Sequence, residues 1–166
     1  MDLYTAAARL ARPFVVDDRP APLGRHALIG DGSTAALVGV DGAIDWLCLP
    51  HFDSPSMFAS LLDPERGGRF QVAPAKRPFE SLQAYDSQTN VLQTLFTEPG
   101  HGVACLTDFM PWTEDTRFTV SEVHRLLEVH EGALQFDVVF DPRFDYGRGE
   151  TRVEIAEHGA VARGPN

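Results

Sequence analysis

The stretch AALVGVDGAIDWLCL, residues 35–49, decides the fold. Residues 35–40 and 43–49 are β-compatible runs separated by Asp41-Gly42. A two-residue Asp-Gly loop suits a type I′ hairpin turn, in which both central residues need positive φ. At a strand's period of two, Ile44, Trp46 and Cys48 share one face, and Ala43, Asp45 and Leu47 share the other.

Downstream, FDSPSMFASLLDPERGG (52–68) predicts a short helix. Ser54 or Asp53 caps it, Pro55 takes its first position, and Met57, Phe58, Leu61 and Leu62 form its apolar stripe. Asp63-Pro64 and Gly67-Gly68 end it. The rest reads as strands. Residues 70–73 are bounded by Pro74, and 91–97 and 103–110 flank the turn-forming loop 99–102. Residues 122–130 and 133–141 flank Glu131-Gly132 as a further hairpin. In its second strand Leu134, Phe136, Val138 and Phe140 point inward. Residues 151–156 and 160–163 pair around 157–159. Upstream, residues 1–12 form a helix with Leu3, Ala6, Ala7 and Leu10 at helical spacing, and VVDDRPAP (15–22) is a linker or an extended arm. Short strands with turns every 8–12 residues and one or two short helices give a mainly all-β chain, an antiparallel β-sandwich. The expected division is an N-terminal helix and arm over 1–22 and the sandwich over 23–166.

The chain has 166 residues, 43% hydrophobic and 23% charged, which suits one globular domain. No apolar run approaches the ~20 residues of a spanning helix. The first residues carry Asp2 and no continuous apolar core, against a secretory signal. A soluble, cytoplasmic protein away from membranes is the expectation. A net charge of −10 repels phosphate backbones and excludes nucleic acid as a partner. Cys48 and Cys105 lie alone in apolar runs and read as buried, reduced thiols.

Motifs for chemistry are thin. Gly30, Gly32 and Ala35 have GxGxxA spacing, but no helix follows to receive a pyrophosphate. A turn leading into the first hairpin is the alternative. His124 and His130 are ~20 Å apart along a strand, too far for one ion, and no metal or cofactor is expected. No GxSxG elbow is present, and Ser54, Ser56 and Ser60 have no histidine nearby. Asp137 and Asp141 on one strand face stand about 13 Å apart, beyond the ~5–9.5 Å separations of glycosidase acid pairs. No catalytic residue is assigned.

Two loops stand out, IDWLCLPHFDSP (44–55) and DPRFDYG (141–147). Aromatic platforms beside Asp and Arg match the apolar faces and hydroxyls of sugars. The competing account makes Trp46 core and lets Arg143 pair with an acid to pin its loop.

The block IGDGSTAALVGVDGAIDWLCLPHFDSPSMFASLLDPERGGRF (29–70), followed by TNVLQTLFTEPGHGVACLTDFMP (89–111) and DPRFDYGRG (141–149), closely resembles the opening of bacterial trehalase-like and glucoamylase-like proteins of glycoside hydrolase family 15. The resemblance implies an N-terminal β-sandwich followed by an (α/α)₆ barrel. The barrel carries an acid and a base glutamate for inverting hydrolysis of α-glucosidic bonds. None of this chain's glutamates lies in a segment like the barrel motifs. The implied role is therefore a non-catalytic domain that docks on a catalytic barrel, truncated relative to the family sandwich. Trp46, Asp53, Arg143 and Asp145 are the expected docking face, and Trp46 and Asp53 the residues lining an α-glucoside subsite. The alternative is a free-standing carbohydrate-binding module for trehalose or α-glucans. Missing strands leave an open sheet edge, which invites a homodimer.

Overall fold

A computed structural model describes residues 12–114 and 120–164; most of the helix expected over 1–12 lies outside them. Two antiparallel sheets pack face to face. The first runs β1 (Phe14–Val16), β7 (Phe79–Tyr85), β8 (Leu92–Glu98), β9 (Gly102–Phe109), β10 (His124–Gly132). The second runs β11 (Phe136–Asp141), β6 (Arg69–Pro74), β4 (Ala43–Cys48), β3 (Ala35–Gly39), β2 (His26–Gly30), and β5 (Ser56–Phe58) also pairs with β4. β12 (Arg152–Ala156) and β13 (Gly159–Arg163) form a separate hairpin. The all-β sandwich expected from the turn spacing is the fold found.

Its core has two parts. Ile29, Val38, Ile44, Leu47, Phe58 and Leu92 fill one end, and Val16, Val40, Val72, Phe79, Phe96 and Leu106 fill the other. Cys48 and Cys105 are buried, and burial pushes the Cys48 thiol pKa up. Among the described residues no helix is long and apolar enough to cross a membrane.

Several local expectations are corrected. The segment expected as a helix after Pro55 is strand β5 followed by turns. Leu47 and Cys48 pair with Phe58 and Ser56, and the amides of Ala59 and Ser60 bond to the carbonyls of Gly67 and Gly68. The free edge of β4 thus claims the backbone that the helical stripe needed. The β3–β4 turn is not type I′, because Asp41 does not adopt positive φ. It is a three-residue loop, closed by a Gly42 N–H to Gly39 C=O bond of 2.9 Å with Gly42 at φ 75°. A bulge next to it changes the face pattern of β4. Leu37 pairs with Trp46 and Val38 with Ile44, so Asp45 is the extra residue, and Ile44 and Leu47 enter the same core.

The expected hairpin over 122–141 is instead a crossover. β10 pairs with β9 and β11 with β6, in different sheets. Gly132, at φ 70°, passes against the carbonyl of His101 as the chain leaves the first sheet. Phe136 and Phe140 reach the core. Val138, on the same face of this edge strand, is nonetheless 65% exposed. β1, β2 and β7 carried no clear sequence signal. On β7 the inward side chains include Ser81, which bonds to the carbonyl of Val40 in the β3–β4 loop, and Gln83, which bonds to the carbonyls of Val38 and Gly39 on β3. Polar residues on a buried face hide a strand from any hydrophobic pattern.

Candidate functional site

The site grows from the strand order. β2, β4 and β11 run parallel to one another, separated by β3 and β6, so their C-terminal ends deliver loops to the same end of the second sheet. These loops are 31–34, 49–55 and 142–151. The first sheet reaches the same end: Asn90 Nδ2 donates to the Gly30 carbonyl at 2.9 Å, and the Trp112 indole packs on Gly32.

Within this end, β5 holds the 142–151 loop. The Arg143 N–H donates to the Met57 carbonyl at 2.9 Å, and the Tyr146 N–H donates to Ser56 Oγ at 3.1 Å. These bonds bring Tyr146 beside the half-buried Trp46, with ring centroids 6.1 Å apart. The one-turn helix α1 (Phe144–Gly147) is not an ordinary right-handed turn. Asp145 and Tyr146 have φ/ψ of 51°/52° and 58°/30°, and Gly147 follows at φ 68°. Two non-glycine residues in this region cost about 1–2 kcal/mol each. Such strain persists where the surroundings fix it, and it clusters at functional sites.

Of the four residues singled out in the sequence, Arg143 and Asp145 lie on the loop whose Tyr146 ring meets Trp46. Arg143 Nε pairs with Asp141 at 2.8 Å, and Asp145 with Arg148 at 3.5 Å; both pairs are solvent-exposed and weakly stabilising. Asp53 stays apart. It is exposed, and no hydrogen bond or ion pair joins it to the other three. Its loop is nonetheless tied to the 31–34 loop by the Phe52 N–H, which donates to the Ser33 carbonyl at 3.2 Å. Gly30, Gly32 and Ala35 belong to the β2–β3 turn, as the alternative to a phosphate loop required.

A second arrangement was not visible in the sequence. The bulge turns Asp45 onto the outer face of the second sheet. There its carboxylate meets His26 Nε2 at 2.9 Å and accepts from Ser60 Oγ at 2.6 Å. Asp41 and Gln71 stand beside them, with Gln71 Nε2 donating to Asp41 Oδ2 at 2.9 Å. A groove of about 340 Å³ lies between these residues and Arg69 and Arg77. The only sequence signal for it was two acids four apart across a turn glycine.

The hydrogen bond to Asp45 raises the His26 pKa above its ordinary 6.5 against the opposing effect of burial. Burial, and then the charge of Asp45, raise Asp41 above 3.8. Both shifts have the same sign for stability. The His26 contribution is complete below pH 6.5 and is lost as pH rises through its folded value. The Asp41 contribution is complete below 3.8 and is lost in the same way above it. Urea unfolding is therefore expected to show stability falling as pH rises above 6.5, with His26→Gln flattening that slope. An unchanged slope in the variant removes His26 as its source.

The family model for the trehalase-like N-terminal domain matches residues 9–166. The trehalase of Thermoplasma volcanium is 39% identical over 82% of this chain and 22% of its own length. That of Thermoplasma acidophilum is 36% identical over 75% and 22%. Trehalase 2 of Sulfolobus acidocaldarius is 31% identical over 84% and 22%. No solved structure matches. The chain spans about a fifth of the length of the curated relatives it matches. With the match running through both sheets and every loop of the site, the chain belongs to the trehalase-like N-terminal family.

Proposed function

We propose that this chain acts as the non-catalytic N-terminal sandwich of a trehalase-type α-glucoside hydrolase of glycoside hydrolase family 15, with an inverting (α/α)₆ barrel as its linked partner. The observation that carries the reading is the convergence at one end of the loops from all three blocks of resemblance, 29–70, 89–111 and 141–149. Trp46, Arg143 and Asp145, with Asp53 on the neighbouring loop, form a face toward the barrel. Trp46 and Asp53 line the approach of the α-glucoside. The arm over 1–22 and the sandwich over 23–166 work as one support.

The test joins this chain to the remaining part of a trehalase relative and follows trehalose hydrolysis. Trp46→Ala and Arg143→Ala are each expected to lower kcat/KM about tenfold, a loss of about 1.4 kcal/mol in transition-state stabilisation. Unchanged kinetics and unchanged melting in both variants reject the role. The isolated chain is expected to release no glucose and to give no saturable heat with trehalose. Saturable heat transfers the protein to the second reading, a carbohydrate-binding module that uses the groove at Asp41 and Asp45. Among the described residues β10 and β11 have unpaired outer edges, with Val129 and Val138 exposed. In the isolated chain these edges pair two copies, which light scattering reads as a dimer.

A further inference from the structure

Two aromatic side chains stand clear of the surface at the loop end. Phe52 is 63% exposed and Trp112 is 67% exposed, more than any other aromatic ring among the described residues. Scattered apolar side chains on a surface need no explanation, but two large rings on one rigid base do.

Both are fastened to the 31–34 loop. The Phe52 N–H bonds to the Ser33 carbonyl. The Trp112 ring lies 3.7 Å from the point a Cβ on Gly32 would occupy, and Gly32 sits at φ 89°, a conformation that favours glycine. The loop is fixed in turn. Asp31 Oδ1 accepts from the amides of Ser33 and Thr34 at 2.8 and 2.9 Å. Thr34 Oγ1 donates to the Cys48 carbonyl at 2.6 Å. This order exists before any partner arrives, so association loses little loop entropy. Aromatic side chains are enriched at protein interfaces, and tryptophan is enriched among the few residues that carry most of the binding energy.

An independent observation marks the same loop. Asp31 is 6% exposed, yet among the described residues its Oδ2 has no hydrogen-bond partner. A buried carboxylate oxygen without a donor is costly, and a donor brought to the loop removes the cost. The relatives supply the occupant, since most of their length lies outside the part this chain matches.

We propose that Phe52 and Trp112, seated on the Asp31 loop, anchor this domain to the remainder of a trehalase-type chain, against an apolar patch that offers a hydrogen-bond donor to Asp31. This rests on the reading given under Proposed function and joins Phe52 of the 44–55 loop to Trp112 and Asp31, which the sequence did not single out as a surface. Phe52 neighbours Asp53 in the chain, so the anchor and the expected docking face form one continuous surface.

The experiment compares the isolated chain with the same chain fused to the part of the Thermoplasma volcanium trehalase outside the match. Hydrogen exchange is expected to show at least tenfold greater amide protection at residues 31–34, 51–54 and 112–114 in the fusion. The double variant Phe52→Ala, Trp112→Ala is expected to return these amides to their isolated-chain rates while leaving the circular dichroism of the isolated chain unchanged. The conservative pair Phe52→Leu, Trp112→Phe is expected to keep most of the protection. Protection confined to another face, or undiminished in the double alanine variant, overturns the anchor and leaves the domain's role standing. Protection nowhere in the fusion overturns both.

Discussion

Replacing Arg125 by alanine is expected to lower the unfolding free energy by about 3–5 kcal/mol, the range for removing one partner of a buried ion pair. Arg125 and Asp108 are 4% and 0% exposed at their side chains. The guanidinium grips the carboxylate with two bonds, Nε to Oδ1 at 2.8 Å and Nη2 to Oδ2 at 3.0 Å. Those two residues face each other on β10 and β9 of the first sheet. The same guanidinium crosses to the second sheet, donating to the carbonyls of Phe70 at 2.7 Å and Gly42 at 2.8 Å and lying over the Phe70 ring at 4.9 Å. Alanine therefore leaves a carboxylate buried without its counter-charge and removes donors from two carbonyls. A domain's whole stability is about 5–15 kcal/mol, so this one change consumes a large share. Arg125→Lys keeps the charge but not the planar fork, and is expected to fall between wild type and alanine. Urea unfolding with an unchanged slope and a lowered midpoint is the readout. A midpoint shift worth less than 1 kcal/mol, by the same linear extrapolation, would sink the account of Arg125 as the inter-sheet clamp.

The pair also shows what the sequence conceals. Asp108 and Arg125 are 17 positions apart, and each looks like an ordinary surface charge in a chain whose composition says nothing about pairing. The hairpins β3–β4, β8–β9 and β12–β13 were legible because their turns and their strands lie within one short stretch. The β10–β11 crossover was not, since Glu131-Gly132 marks a change of direction without saying which sheet receives the next strand. β7 was hidden by the polar inward side chains of Ser81 and Gln83. The face pattern of β4 failed at a single inserted residue, and the Asp45 bulge that broke it also created the contacts to His26 and Ser60. At the loop end, Trp46 and Arg143 were singled out because aromatic and charged residues sat together in the chain. Trp112 was overlooked because its neighbour Gly32 is distant in sequence and close only after the two sheets have packed.

Phe58 and Leu62 separate the strand from the helix that the sequence favoured after Pro55. Phe58→Ala is expected to cost about 3–5 kcal/mol, the usual price of emptying a buried phenylalanine site, while Leu62→Ala stays within about 0.5 kcal/mol. On a helix Met57, Phe58, Leu61 and Leu62 form one stripe, and the two substitutions weigh alike. In the structure Phe58 is 2% exposed and Leu62 is 67% exposed. The Phe58 ring meets Phe140 edge-on at 6.2 Å and Phe70 at 6.5 Å, so it joins β5, β6 and β11 at a single point. Losing it loosens the seat of the functional loop as well, because Ser56, two residues earlier on β5, accepts the Tyr146 amide that holds the left-handed turn. Phe58→Ala is therefore expected to speed amide exchange at residues 144–147 beyond the change caused by global destabilisation, and Leu62→Ala is expected to leave it alone. Denaturant unfolding and exchange on the same two variants check both parts. Equal losses of stability at the two positions would restore the helix and detach the 142–151 loop from β5.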